Sequence, residues 1–258
     1  MEIKPRFEFK YIVKSHIAEK FLENLKGNMI ADPHSDKGGY HVNSIYLDTP
    51  DLYCYYSKID GEKLRYKFRV RWYGEILEES SLDKNTLFVE IKNRNNDEIF
   101  KNRVKLPGKH LISIAENGYP LKNLCELVKD KELYQANIIQ NIANSNNWLP
   151  MCVTSYYRRA YLWPYDMDVR VTIDNNLRAQ SVRNILQVCK ENGFQVLPPD
   201  LCVLEIKFNW AMPLWLLETC VETGLEMRRY SKYASCMEKL YPEHTIRSAT
   251  FESHLAIS

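Results

Sequence analysis

The 258 residues are 45% hydrophobic and 26% charged, an ordinary composition for a globular protein with a sizeable core. Thirty-five Lys and Arg stand against 33 Asp and Glu, so the formal net charge is only +2, which excludes a broadly basic nucleic-acid binder. The charged start MEIKPRFEFKYIVK carries no apolar signal core, and no apolar run of about 18 residues exists, so neither a signal peptide nor a membrane span is expected.

Along the chain, eight segments alternate with period two and are rich in β-branched and aromatic residues. In the first, RFEFKYIV, Arg6, Glu8 and Lys10 share a face opposite Phe7, Phe9 and Tyr11. A helix follows in SHIAEKFLENLKG, with Ile17, Phe21, Leu22 and Leu25 on one side, Ser15 as its expected N-cap and Gly27 as its stop. After the strand YHVNSIYLD comes LRYKFRVRWYG, where Arg65, Lys67, Arg69 and Arg71 line one face and Tyr66, Phe68, Val70 and Trp72 the other. LFVEIKNR sets Glu90, Lys92 and Arg94 opposite Val89 and Ile91, and IFKNRVKL aligns Lys101, Arg103 and Lys105. Residues from about Leu111 to Asn146 read as a helical insertion. In the second half TSYYRRAY puts Tyr156 and Arg158 on one side, and MDVRVTID does the same for Arg170, Thr172 and Asp174. VLEIKF turns Glu205 and Lys207 away from Leu204, Ile206 and Phe208. SVRNILQVCKENG, PLWLLETCVETG and SKYASCMEKLY read as helices. The expected organisation is one domain over residues 1–245 and a tail over 246–258. Seven scattered cysteines without a C-x-x-C read as buried free thiols of a reducing compartment, and a cytoplasmic location is expected.

A half-exposed sheet explains one such strand, but solvated faces mix polar types and avoid like charges side by side. Here most faces are Arg and Lys with isolated Glu. Helices are available to cover the apolar side, so the polar face is read as the interior of a closed antiparallel barrel. Such an interior is costly when empty and favourable around a polyanion. Several phosphates in a row fit it, and Glu8, Glu90 and Glu205 offer hard oxygen ligands for a divalent metal.

In order, FKYIV, SIYLDTPDLYCY, KFRVRWYG, FVEIKNR, SYYRRAY, VRVTIDNNL, LEIKF and RYSKY resemble the triphosphate tunnel metalloenzymes, and within them the vacuolar transporter chaperone (VTC) type of polyphosphate polymerase domain. The resemblance runs from about Phe7 to Tyr241. It implies an α+β fold, an eight-stranded antiparallel tunnel with helices packed outside. It makes Lys10, Arg69, Arg71, Lys92 and Arg158 phosphate-binding, with Ser231 and Lys232 of RYSKY as a further phosphate pair; the strand faces add Lys207, which shares the side of Glu205, and Arg94, which stands where the family's fungal polymerases carry a histidine. Glu205 matches the metal-binding glutamate, for Mn²⁺ or Mg²⁺, and Lys92, Arg71 and Glu205 become the catalytic set. The hydrolase branch opens with E-x-E-x-K, whereas this chain has a cation at Arg6, which favours the polymerase branch. The resemblance implies ATP and polyphosphate as substrates. A triphosphatase on the same tunnel and a polyphosphate- or inositol-phosphate-binding module without turnover remain alternatives; a membrane-protein partner is left open.

Overall fold

The computed structural model describes residues 6–35, 38–75, 79–95, 98–182, 185 and 193–243. Its eight long strands are β1 (Arg6–Lys14), β2 (Tyr40–Asp48), β3 (Leu64–Tyr73), β4 (Thr86–Asn95), β5 (Glu98–Pro107), β6 (Leu149–Trp163), β7 (Asp166–Ser181) and β8 (Leu201–Asn209). They coincide with the eight alternating segments of the sequence. The hydrogen-bonded order is β1-β8-β7-β6-β2-β3-β4-β5, with the two-residue strands Ile30–Ala31 and Phe194–Gln195 off this path against β6 and β7. Each described ladder is antiparallel. Among the described residues no ladder joins β5 back to β1, so the path has two ends.

Among the described residues six α-helices accompany the sheet: α1 (Ser15–Asn24), α2 (Tyr53–Ile59), α3 (Leu111–Asn117), α4 (Leu133–Ser145), α5 (Leu214–Glu222) and α6 (Lys232–Leu240). The helical expectation over 111–146 is met by α3, α4 and short 3-10 turns between them. The helix expected over 181–193 falls largely on residues outside those described, as do the end of the 1–245 span and the whole 246–258 tail. No described helix is long and apolar enough to cross a membrane. Ser15 is not the N-cap of α1: Lys14 holds that position, and Ser15 Oγ donates instead to the Asp200 carbonyl at 3.1 Å.

By contacts the chain divides into two compact units. The first takes residues 1–42, 155–177 and 197–231. Its core joins Ala18, Phe21 and Leu25 of and just after α1 to Tyr11 of β1, Val171 and Ile173 of β7, and Leu204 and Ile206 of β8. The apolar sides of these alternating strands are therefore covered by a helix, and each such side chain contributes about 1.5–3 kcal/mol. The second unit takes residues 43–154, 178–196 and 232–258. There Phe68, Val70 and Trp72 of β3 pack with Leu87, Val89 and Ile91 of β4 and with residues of α3, α4 and α6. The six described cysteines are free thiols, all but Cys125 buried; Cys189 lies outside the described residues.

Candidate functional site

In the first unit the register of β1 on β8 sets Lys10 opposite Glu205 and Glu8 opposite Lys207. The two carboxylates and two ammonium groups interlock. Lys10 Nζ lies 2.9 Å from Glu8 and 3.9 Å from Glu205, while Lys207 Nζ lies 3.3 Å from Glu205 and 4.0 Å from Glu8. On the far side of β8, β7 places Thr172 opposite Glu205. Two residues on, Asp174 is fully buried and takes both Nε and Nη2 of Arg158, at 2.6 and 2.7 Å. Arg158 Nη2 also lies 3.7 Å from Glu205. Burial pulls the Arg158 pKa down, but the Asp174 carboxylate overrides it and holds the guanidinium charged well above its usual range. The expected phosphate ligand thus already has a bidentate carboxylate partner, which fixes its plane and leaves Nη1 outside the pair.

Ser231 is reached from the same strand. Arg228 N–H donates to the Lys10 carbonyl at 2.8 Å, and Lys10 Nζ donates to the Tyr230 carbonyl at 3.4 Å. The segment 228–231 therefore lies along β1, and Ser231 is buried where that segment ends.

Among the described residues no three His, Cys, Asp or Glu side chains form a metal cage. Mg²⁺-like ions do not need one: they take one or two carboxylates and complete their shell with water and phosphate oxygens. Glu8 and Glu205 supply such a pair. The Thr172 hydroxyl, on the same rung as Glu205, is buried without a hydrogen-bond partner among the described residues and adds a neutral oxygen. This donor set fits Mn²⁺ or Mg²⁺.

The second unit carries a more cationic face. Across β3, β4 and β5, one rung aligns Lys67, Lys92 and Lys101, the next Arg69, Glu90 and Arg103, and the third Arg71, Phe88 and Lys105. Like charges directly opposite are unfavourable, and three ammonium groups in one rung concentrate positive potential. Glu90 partly offsets it. Its side chain is 2% exposed; Arg69 Nε and Nη2 both reach it at 2.7 Å, Arg103 at 2.8 Å and Lys101 at 2.9 Å. Burial raises the Glu90 pKa, yet the surrounding cations, Arg69 first, hold it well below the usual carboxylate range. A carboxylate so occupied acts as a counter-ion for the basic face.

Strand β2 supplies the hydroxyls that orient this face. Arg71, 7% exposed, donates from Nε to Ser44 Oγ at 3.2 Å, and Arg69 Nη1 donates to Tyr46 OH at 3.4 Å. The Tyr46 ring stacks on Tyr233 at 5.1 Å between centroids. Tyr233 OH in turn donates to Asp48 Oδ2 at 2.6 Å. Asp48 also accepts the N–H groups of Thr49, Cys54 and Tyr55 at 2.8, 2.8 and 3.0 Å, which ties down the start of α2. These contacts position the first turn of α6, where Lys232 is only 8% exposed. A buried ammonium at a helix N-terminus opposes the helix dipole, and an anion beside it relieves both.

The expected site residues thus fall into two sets: Glu8, Lys10, Arg158, Glu205, Lys207 and Ser231 in the first unit, and Arg69, Arg71, Glu90, Lys92 and Lys232 in the second. The side chains of Arg6 and Arg94 lie outside the described residues. Trp72, opposite the cations of its strand, and Tyr156, on the side of Arg158, are both buried. The sequence singles out neither Ser44, Tyr46, Asp48 nor Tyr233, although alternation along β2 aligns the first three, and it places Asp174 on a charged face without giving it a role.

The VTC domain matches residues 5–241 of the chain. Vacuolar transporter chaperone complex subunit 4 of Schizosaccharomyces pombe is 27% identical over 150 residues, 53% of this chain and 20% of that protein. Subunit 2 of the same complex from Saccharomyces cerevisiae is 27% identical over 158 residues, 53% of this chain and 18% of that protein. The chain therefore spans about a fifth of the length of the curated relatives it matches. Among solved structures, a Pyrococcus horikoshii protein aligns with 91% of this chain and 99% of its own, at 14% identity and a TM-score of 0.46.

Proposed function

Since the chain belongs to the VTC domain family over residues 5–241, we propose that it is a metal-dependent polyphosphate polymerase that transfers the γ-phosphate of ATP to a growing polyphosphate chain. Lys92, Arg69, Arg71 and Lys232 bind phosphate in the second unit, and Lys10, Arg158, Lys207 and Ser231 do so in the first. Arg94 joins them by its alternation with Glu90 and Lys92 in the sequence. Arginine binds phosphate oxygens with a planar fork, whereas lysine acts as a point charge.

The observation that carries the polymerase reading is the state of the carboxylates. Glu8 and Glu205 are tied to lysines, and Glu90 is clasped by three cations and held ionised. None stands apart as a base that could take a proton from water. A terminal chain phosphate is already anionic and needs no such base. Its oxygen attacks the γ-phosphorus, the bond from that phosphorus to the β-bridging oxygen breaks, and ADP leaves. The protein's contribution is alignment of the two chains and dispersal of charge over the transferred group.

Glu205 and Glu8, with Thr172, hold the divalent ion, which when bound neutralises phosphate charge. Arg158, locked by Asp174, keeps its plane fixed beside Glu205. Incubating the protein with ATP and Mn²⁺ and resolving the products on a gel tests the reading: a polyphosphate ladder is expected. Release of free phosphate alone replaces it with a triphosphatase, and binding without turnover replaces it with a receptor.

A further inference from the structure

The basic face of the second unit has one residue out of character. Alternation along β4 buries Leu87, Val89 and Ile91 in the core and puts Thr86, Phe88, Glu90 and Lys92 on the opposite side. Phe88 is therefore an aromatic ring set among charges, flanked in its own rung by Arg71 and Lys105. A position used only to solvate a sheet face does not favour phenylalanine.

Its surroundings are built rather than incidental. The Arg103 guanidinium lies over the ring at 4.1 Å from the centroid, and Tyr73 meets the ring edge-on at 5.5 Å. Arg103 Nη2 donates to Tyr73 OH at 3.2 Å, so the three side chains hold one another in place. Tyr73 is 36% exposed, as is the Arg103 side chain. A guanidinium stacked on an aromatic ring keeps a second flat face for another π-system.

The position along the sheet matters as much. From the Lys67–Lys92–Lys101 rung to the Phe88 rung is four residues, roughly 13–14 Å at 3.3–3.4 Å per residue. Cations line the way and an aromatic cluster ends it, a layout matched by a nucleoside triphosphate whose phosphates face the lysines and whose base reaches the aromatic end. Resting on the phosphate-binding reading of the same face, we propose that Phe88, Arg103 and Tyr73 form the seat for the nucleobase of that triphosphate.

Calorimetric titration of the full chain with ATP and with inorganic tripolyphosphate tests this, using Phe88→Ala and the volume-keeping Phe88→Leu. Loss of the ring that backs the Arg103 plane is expected to weaken ATP binding about tenfold in both variants. Tripolyphosphate, which has no base, is expected to keep its wild-type affinity. Equal losses for both ligands, or no loss for either, overturn the seat and make Phe88 a packing residue. Wild-type protein that binds neither ligand overturns the phosphate reading itself.

Discussion

The Tyr233 phenol donates to Asp48 at 2.6 Å, joining the second residue of α6 to the end of β2. Asp48 is fully buried, and burial raises its pKa even though Tyr233 and three backbone N–H groups pull it the other way. The pair ties Lys232, one residue before Tyr233, to the strand whose Tyr46 and Ser44 orient Arg69 and Arg71.

Asp48→Asn places an amide N–H₂ where the Tyr55 N–H or the Tyr233 O–H donates, leaving buried donors without an acceptor. A loss of about 1–3 kcal/mol in urea unfolding is expected. Tyr233→Phe is expected to cost about the same at neutral pH and to weaken tripolyphosphate binding through Lys232. Unchanged stability in both variants would show that this network does not hold α6.

Glu90 makes stability depend on pH. Its folded pKa lies below the unfolded value, so its contribution is complete above about pH 4.3 and is lost as the pH falls through the folded pKa. Acid unfolding of Glu90→Gln should accordingly have a shallower dependence on pH below about 4 than the wild type. At neutral pH the variant should be less stable, by about 1–2 kcal/mol, because the partly exposed Arg69, Lys101 and Arg103 lose their common counter-ion. Parallel acid transitions would contradict the assignment.

Lys92→Ala and Arg71→Ala are expected to lower turnover by at least about 100-fold while the melting temperature stays within a few degrees, since charge stabilisation of the transferred group is lost and little apolar packing changes. A variant retaining full activity removes that residue from the site.

Glu205→Gln leaves one carboxylate of the pair and should raise the Mn²⁺ concentration needed for half-maximal stabilisation of the tripolyphosphate complex by at least about 10-fold. Thr172→Val should shift it in the same direction by less. Thermal melts across a Mn²⁺ series read both effects without an activity assay. An unmoved midpoint in Glu205→Gln would place the metal elsewhere.

Strand alternation made most of the fold legible, because a period of two sorts Phe68, Val70 and Trp72 from Lys67, Arg69 and Arg71 without further information. The same rule found Glu8, Lys10, Glu205 and Lys207. It could not find the partners. Asp174 sits on a nominated face, but only the strand order brings it to Arg158, and only register across β3, β4 and β5 brings Glu90 to Arg69, Lys101 and Arg103. Tyr233 and Asp48 are 185 positions apart, a contact no local pattern contains. Ser231 and Lys232 came from the RYSKY resemblance alone, since a helix start carries no period to read. The Ser15 cap failed because the chain enters α1 directly from β1, so the serine becomes the first helical residue.

Incubation of the purified chain with ATP and Mn²⁺, with Lys92→Ala alongside, tests the central claim most directly. The polymerase account predicts a ladder of long polyphosphate with stoichiometric ADP from the wild type and none from the variant. Free phosphate without a ladder, or ATP recovered intact while polyphosphate still raises the melting temperature, would contradict it.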